Sequence, residues 1–165
     1  MTNKILFLIL LSFIYVFAVA QTHDEQHEHE HEHEHSHVHE LGFSVAPAMF
    51  LSEDEISMAV HLHYVYNFTD TKFGLGLGYE RIFDEHKHNF IGVELVYRPL
   101  HALTLDLSPG IAFEGEHKDE VDFALHFEIV YEFEFGAFHI GPMTEIAYHP
   151  EDWHFSLGVH VGFGF

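Results

Sequence analysis

The chain ends WHFSLGVHVGFGF, Trp153 to Phe165, and every second residue of that ending is large and apolar. Trp153, Phe155, Leu157, Val159, Val161, Phe163 and Phe165 share one parity, while His154, Ser156, Gly158, His160, Gly162 and Gly164 share the other. A period of two belongs to a strand, whose successive side chains point to opposite faces. One face is therefore apolar and the other small or polar. What decides the fold is which face meets which solvent. A soluble sandwich or barrel packs its apolar face inward, whereas a membrane barrel turns that face to lipid and fills its lumen with small and polar groups.

The same alternation extends upstream to Leu41. Its apolar series run through Leu41–Leu51, Ile56–Phe68, Phe73–Tyr79, Ile91–Tyr97, Leu103–Phe113, Val121–Phe135 and Phe138–Tyr148. With the C-terminal series they predict eight strands, and Pro99 is expected to end the fourth, since proline cannot donate to a ladder. The opposite parity carries His61, His63, Gly74, Gly76, Gly78, Glu80, Glu94, Asp106, His126, Glu128, Glu132, His139 and Glu145. Aromatics gather at the strand ends: Tyr66, Phe68, Phe73, Tyr97, Phe133, Phe135 and Phe138 toward one rim, and Phe83, Phe113, Phe123, Tyr148 and Trp153 toward the other. Two such girdles, an even strand number and strands of about 9–11 residues suit a barrel that crosses a bilayer. A soluble lipocalin-like barrel would need its cavity lined by the apolar face instead.

The ending FSLGVHVGFGF, with its terminal phenylalanine, resembles the C-terminal strand signal of bacterial outer-membrane β-barrels. That resemblance covers residues 41–165. It implies an all-β, eight-stranded antiparallel up-and-down transmembrane β-barrel in the outer membrane of a Gram-negative bacterium, with outer-membrane lipid and the barrel assembly machinery as partners. It also implies that the SEDE, DEHKH, EGEHKDE and HPED connections face outward. These loops are too short for the adhesin role of longer-looped relatives.

The N-terminus carries Lys4, an apolar run from Ile5 to Phe17, and Ala18-Val19-Ala20, which together read as a secretory signal peptide, residues 1–20, cleaved after Ala20. A His/Glu-rich tail, residues 21–40, follows, with too little apolar content to fold alone. There is no cysteine, which excludes disulfides, thiolate metal sites and cysteine nucleophiles. A formal charge of −21 makes nucleic acid a poor partner and cations good ones.

The tail places His23, His27, His29, His31, His33, His35, His37 and His39 among acids. Alternation sets most of these imidazoles on one side of an extended chain and the glutamates on the other. Imidazole suits Zn²⁺ first, and also Cu²⁺, Ni²⁺ or Co²⁺, with carboxylate able to complete the shell. The expected function is therefore a barrel whose periplasmic tail binds transition-metal ions to buffer, scavenge or hand them on to a periplasmic metal-handling protein. The alternative is a structural barrel with the tail as spacer or partner contact. Within the barrel, His61, His63, Glu80, Glu94, Asp106, His126, Glu128 and His160 can line the lumen with cation ligands, although small barrels need polar filling in any case. No enzyme is expected. The barrel's serines do not stand beside a histidine and an acid on the lipid-facing surface, and there is no H-E-x-x-H helix to hold a catalytic metal.

Overall fold

The computed structural model describes residues 37–52, 56–115, 121–150 and 152–165. The expected signal peptide and the tail as far as residue 36 lie outside the described residues. Nine strand segments form one sheet: β1 His39–Phe50, β2 Ile56–Asn67, β3 Phe73–Ile82, β4 His88–Leu100, β5 Leu103–Glu114, β6 Val121–Tyr131, β7 Phe133–Phe135, β8 Phe138–Tyr148 and β9 Trp153–Gly164. Each pairs antiparallel with its neighbours in the order β6-β5-β4-β3-β2-β1-β9-β8-β7, and an added β6–β8 pairing closes the sheet on itself. β6 and β7 are one stave interrupted at Glu132, so the barrel has eight staves, as the alternation predicts. Closure pairs every stave on both sides, leaving no open edge.

The apolar parity faces outward. Leu41, Phe43, Leu62, Leu77, Ile91, Leu95, Phe127, Ile146 and Val159 all stay exposed around the wall, Leu77 at 64 %. In water this belt would far exceed the few hundred Å² of contiguous apolar patch that soluble monomers tolerate. Toward hydrocarbon it carries no such penalty. Staves β1 to β5, of 10–13 residues, at about 3.3 Å per residue and about 40° of tilt, span roughly 25–33 Å, which matches the apolar band of a transmembrane barrel. Ring pairs mark the rims. Phe73 stacks on Tyr97 at 5.0 Å and Phe138 meets Phe163 at 4.8 Å at the rim holding both barrel termini, here the terminal rim; Tyr148 meets Trp153 at 5.0 Å at the distal rim.

Prolines explain the irregularities. Pro99 does not end β4, which runs on to Leu100. Instead the β4–β5 register shifts between Tyr97 and Leu100, and the ladder resumes at Leu100↔Leu103. A prolyl nitrogen removes one donor, and the strand absorbs that loss as an irregularity. Elsewhere the ladder skips without slipping. The β1–β9 pairing passes over Pro47 between Val45↔Val159 and Ala48↔Ser156. Likewise β4–β5 passes over Pro109 between Gly92↔Gly110 and Leu95↔Leu107. Pro142 lies between Val130↔Met143 and Phe133↔Ile140, opposite the gap that divides β6 from β7.

β1 begins at His39, two residues ahead of Leu41, so His39 and Glu40 are ladder residues paired with Tyr66 and Val65. By parity Glu40 then points into the lumen, where it is 6 % exposed.

Candidate metal centre in the barrel lumen

The inward parity collects an unusual charge population. Glu40, Glu80, Glu94, Asp106, Glu128, Glu132 and Glu145 are buried, along with the imidazoles of His61, His126, His139, His154 and His160 and the single buried guanidinium of Arg98. Burying a carboxylate without a partner costs several kcal/mol. So many acids around one permanent cation must be balanced by protons on the ring nitrogens and carboxyls, or by a bound cation.

Nearest the distal rim, β3, β6, β8 and β9 each contribute one side chain to a buried tetrad: Glu80, His126, Glu145 and His154. His126 Nδ1 lies 3.2 Å from Glu145 Oε2 and 3.9 Å from Glu80 Oε1. His154 Nε2 lies 3.4 Å from Glu145 Oε1 and 3.6 Å from Glu80 Oε1. In a tetrahedral zinc site with bonds of about 2.0–2.1 Å, neighbouring ligand atoms stand roughly 3.3–3.4 Å apart. The closest pairs of the tetrad stand near that spacing, and all four ligand atoms lie within 4.8 Å of one another, so an ion would draw the set together. Two of its atoms, Glu145 Oε1 and His154 Nε2, are buried with no hydrogen-bond partner. Orphaned polar atoms of this kind are rare in folded proteins and point to an ion or water between them. Phe90 stacks flat on the His126 ring at 3.8 Å, and Phe50 tilts against His154 at 5.5 Å, so an apolar shelf holds both imidazoles in place.

Among the described residues three further sets follow toward the terminal rim. His61, Glu128 and Glu145 form one, and His61, His63 and Glu94 another. His61 Nε2 is 3.3 Å from Glu94 Oε1, and its Nδ1 is 3.7 Å from Glu128 Oε2. That Nδ1 and that Oε2 are again buried without hydrogen-bond partners. Ser108 Oγ lies 2.6 Å from Glu94 Oε2 and 2.8 Å from Asp106 Oδ1, so one hydroxyl bridges two acids. At the terminal rim stands the set of Glu40, His139 and His160, with His139 Nε2 3.6 Å from Glu40 Oε1 and 3.2 Å from His160 Nε2. Arg98 donates to the other Glu40 oxygen at 2.7 Å and also to Asn67.

Glycines make room for these side chains. A Cβ on Gly78 would come within 1.6 Å of Glu94 Oε1, and one on Gly162 within 1.9 Å of His139 Nε2. Glycine at both positions lets the Glu94 carboxylate and the His139 ring sit where they do; a side chain there would push those side-chain ends aside.

Above the tetrad a cavity of about 220 Å³ opens at the distal rim, lined by Phe50, His86, His88, Glu114, Asp122 and His149 among others. His149 Nε2 lies 3.3 Å from His126 Nε2, linking this vestibule to the tetrad. Burial, and then the imidazoles of His126, His154 and His88, push His149 down to about 3, so it is neutral at pH 7 and free to act as a ligand. Asp84 bonds the backbone and ring of His88. Burial alone would raise the Asp84 carboxyl, but those His88 contacts prevail and hold it below its ordinary value.

Of the tail histidines, His23, His27, His29, His31, His33 and His35 lie outside the described residues. The remaining two are not brought together. His37 packs against Gly164, where a Cβ would come within 2.6 Å of the His37 Cβ. His39 takes the outward parity, with Nδ1 2.7 Å from the Tyr64 hydroxyl oxygen and its ring stacked on Phe165 at 5.4 Å. Neither belongs to a lumen ligand set. The sequence reading also left Glu145, His154, His139 and Glu40 out of the cation-lining group, although alternation assigns the first three to the inward face. Ser44 Oγ approaches His160 Nδ1 at 3.0 Å, but inside the lumen and away from lipid.

No protein-family model matches the chain, and no curated protein sequence matches it. Among solved structures it is similar to Neisserial surface protein A (NspA), at 11 % identity and a TM-score of 0.55 over 77 % of this chain and 96 % of that one. It is also similar to Ail, the attachment invasion locus protein of Yersinia pestis, at 14 % identity and a TM-score of 0.51 over 77 % and 96 %. A de novo designed transmembrane β-barrel matches at 12 % identity and a TM-score of 0.54 over 77 % and 97 %. The chain thus resembles known bacterial outer-membrane barrels in fold. Identities this low extend the likeness no further.

Proposed function

We propose that this chain is a non-enzymatic outer-membrane barrel that binds divalent transition-metal ions, zinc foremost, and that its N-terminal tail gathers them in the periplasm for buffering, scavenging or hand-over. The observation that carries the reading is the buried Glu80–His126–Glu145–His154 tetrad, whose ligand atoms lie within 4.8 Å of one another and include two that make no hydrogen bond. Cu²⁺, Ni²⁺ and Co²⁺ fit the same mixed imidazole–carboxylate set, so the donors favour a class of ions over one member. His23, His27, His29, His31, His33, His35, His37 and His39 supply several exchanging ligands, and the barrel supplies both location and a drier site.

Calorimetric zinc titration of the mature protein, beside a variant lacking residues 22–36, tests this. That deletion leaves β1 whole. The full chain should take up several ions with a spread of affinities, and the deletion should retain the tighter component only. Because protons compete with metal for imidazole, uptake by the tail should fade below about pH 6. No uptake by either protein at pH 7.5 would leave a structural barrel whose tail is a spacer or a partner contact.

A further inference from the structure

The lumen sets overlap, and their overlap is more informative than any one of them. Glu145 belongs both to the distal tetrad and to the set of His61 and Glu128, while His61 belongs in turn to the set containing His63 and Glu94. His63 Nε2 lies 3.9 Å from Glu40 Oε1, and its ring stacks on His160 at 5.2 Å, which reaches the terminal set. Ligand atoms within each set stand no more than 4.8 Å apart. An ion leaving one set can thus keep a shared ligand while it acquires the next. It need never be stripped of all its ligands in a low-dielectric interior, where an unpaired charge is most costly.

We infer that the lumen is a path along which a divalent transition-metal ion passes from ligand set to ligand set between the distal vestibule and the terminal rim, closed at that rim by the Glu40–Arg98 ion pair. This rests on the metal-binding reading above and adds movement to it. Shared ligands carry the inference, and the orphaned atoms at both the tetrad and the His61–Glu128 station support it independently. Arg98 is 5 % exposed and stands where the row of ligands meets the tail, so its fixed charge repels a cation arriving from either side. Departure of Arg98 from Glu40 would free a carboxylate for the ion and remove that repulsion. The vestibule, with Glu114, Asp122 and His149, is the corresponding entrance at the other end. The path selects for metals that accept nitrogen: Mg²⁺ prefers all-oxygen octahedra and dehydrates reluctantly, and so should not follow.

The test reconstitutes the mature full-length protein in phosphatidylcholine vesicles enclosing a zinc-responsive fluorescent chelator, and adds Zn²⁺ or Mg²⁺ outside. The parent protein should admit zinc in a saturable manner and exclude magnesium. His61→Gln leaves all four tetrad residues in place but breaks the shared link, so it should still bind zinc at the tetrad by titration while entry falls to the protein-free rate. Arg98→Gln, which keeps a donor for Asn67, should admit zinc faster than the parent. Should it fail to give the heat-shifted gel mobility of a folded barrel, Arg98→Lys serves as a milder variant with a smaller increase expected. Zinc bound without entry, or entry unchanged in His61→Gln, overturns the path and leaves the binding reading intact. Absence of bound zinc in the parent overturns both.

Discussion

Replacing Glu145 by glutamine separates the metal-binding account from a purely structural view of the lumen, because the two predict different results. The side chain keeps its shape and one acceptor oxygen for His126, which now stands 3.2 Å from Oε2. In the metal-free protein the change removes the charge that His126 and His154 face while Glu80 stays beside both, so stability should fall by about 1–3 kcal/mol, the cost of a buried polar group that loses a partner. In the presence of zinc a second and separable loss is added. Glu145 is shared by two ligand sets, and losing even a supporting partner of a metal site costs about 10–100-fold in affinity. At a free zinc concentration of about 100 times the parent's Kd, the parent gains about 2.7 kcal/mol from binding. A variant with 100-fold weaker affinity gains only RT ln 2, about 0.4 kcal/mol, at that concentration. Urea unfolding in detergent micelles, followed by fluorescence of Trp153, the sole tryptophan, measures both terms with and without zinc. Equal zinc stabilisation of parent and Glu145→Gln would refute the reasoning.

Other consequences are open to simpler checks. Gly78→Ala should lower the stability of the metal-free barrel by about 1–3 kcal/mol through overpacking, since the new methyl falls within 1.6 Å of Glu94 Oε1; a normal urea midpoint would mean that the acid has room elsewhere. Leu77→Arg puts a charge on the mid-stave outer face and should cost about 2–4 kcal/mol in lipid vesicles, whereas no loss there would place that face away from hydrocarbon. At the distal rim Asp152 clasps the Ser52 backbone and hydroxyl and the Trp153 amide. Slight burial acts to raise its carboxyl, but those donors prevail and hold it below the ordinary 3.8. A depressed folded value stabilises above about pH 4 and is lost as pH falls through the lowered value. Protease sensitivity around Leu51 and Ser52 should therefore rise only in that acid range, and Asp152→Ala should show the same sensitivity at pH 7; equal resistance in both proteins would make the clasp irrelevant.

The fold was legible because period two is unambiguous over eight long series. Parity also named the inward face almost residue by residue. What parity cannot supply is height along the axis or position around the wall, and these decide which inward residues meet. Glu80, His126, Glu145 and His154 come from four different staves and assemble only because the barrel closes through the β6–β8 pairing. Glu40 was hidden for another reason. Its neighbours made it part of the polar tail, while the ladder with Val65 made it a lumen residue. Pro99 misled by the same logic: the rule that proline stops a strand holds for the lost donor, but the stave extends past it with a register shift.

The most direct measurement is anomalous X-ray scattering at the zinc edge from crystals of the mature protein grown with zinc. An ion between Glu80, His126, Glu145 and His154, with bonds of about 2.0–2.2 Å to nitrogen and oxygen, is the predicted result. Zinc density confined to the tail or the surface, with that tetrad occupied by water alone in crystals grown at saturating zinc, would contradict it.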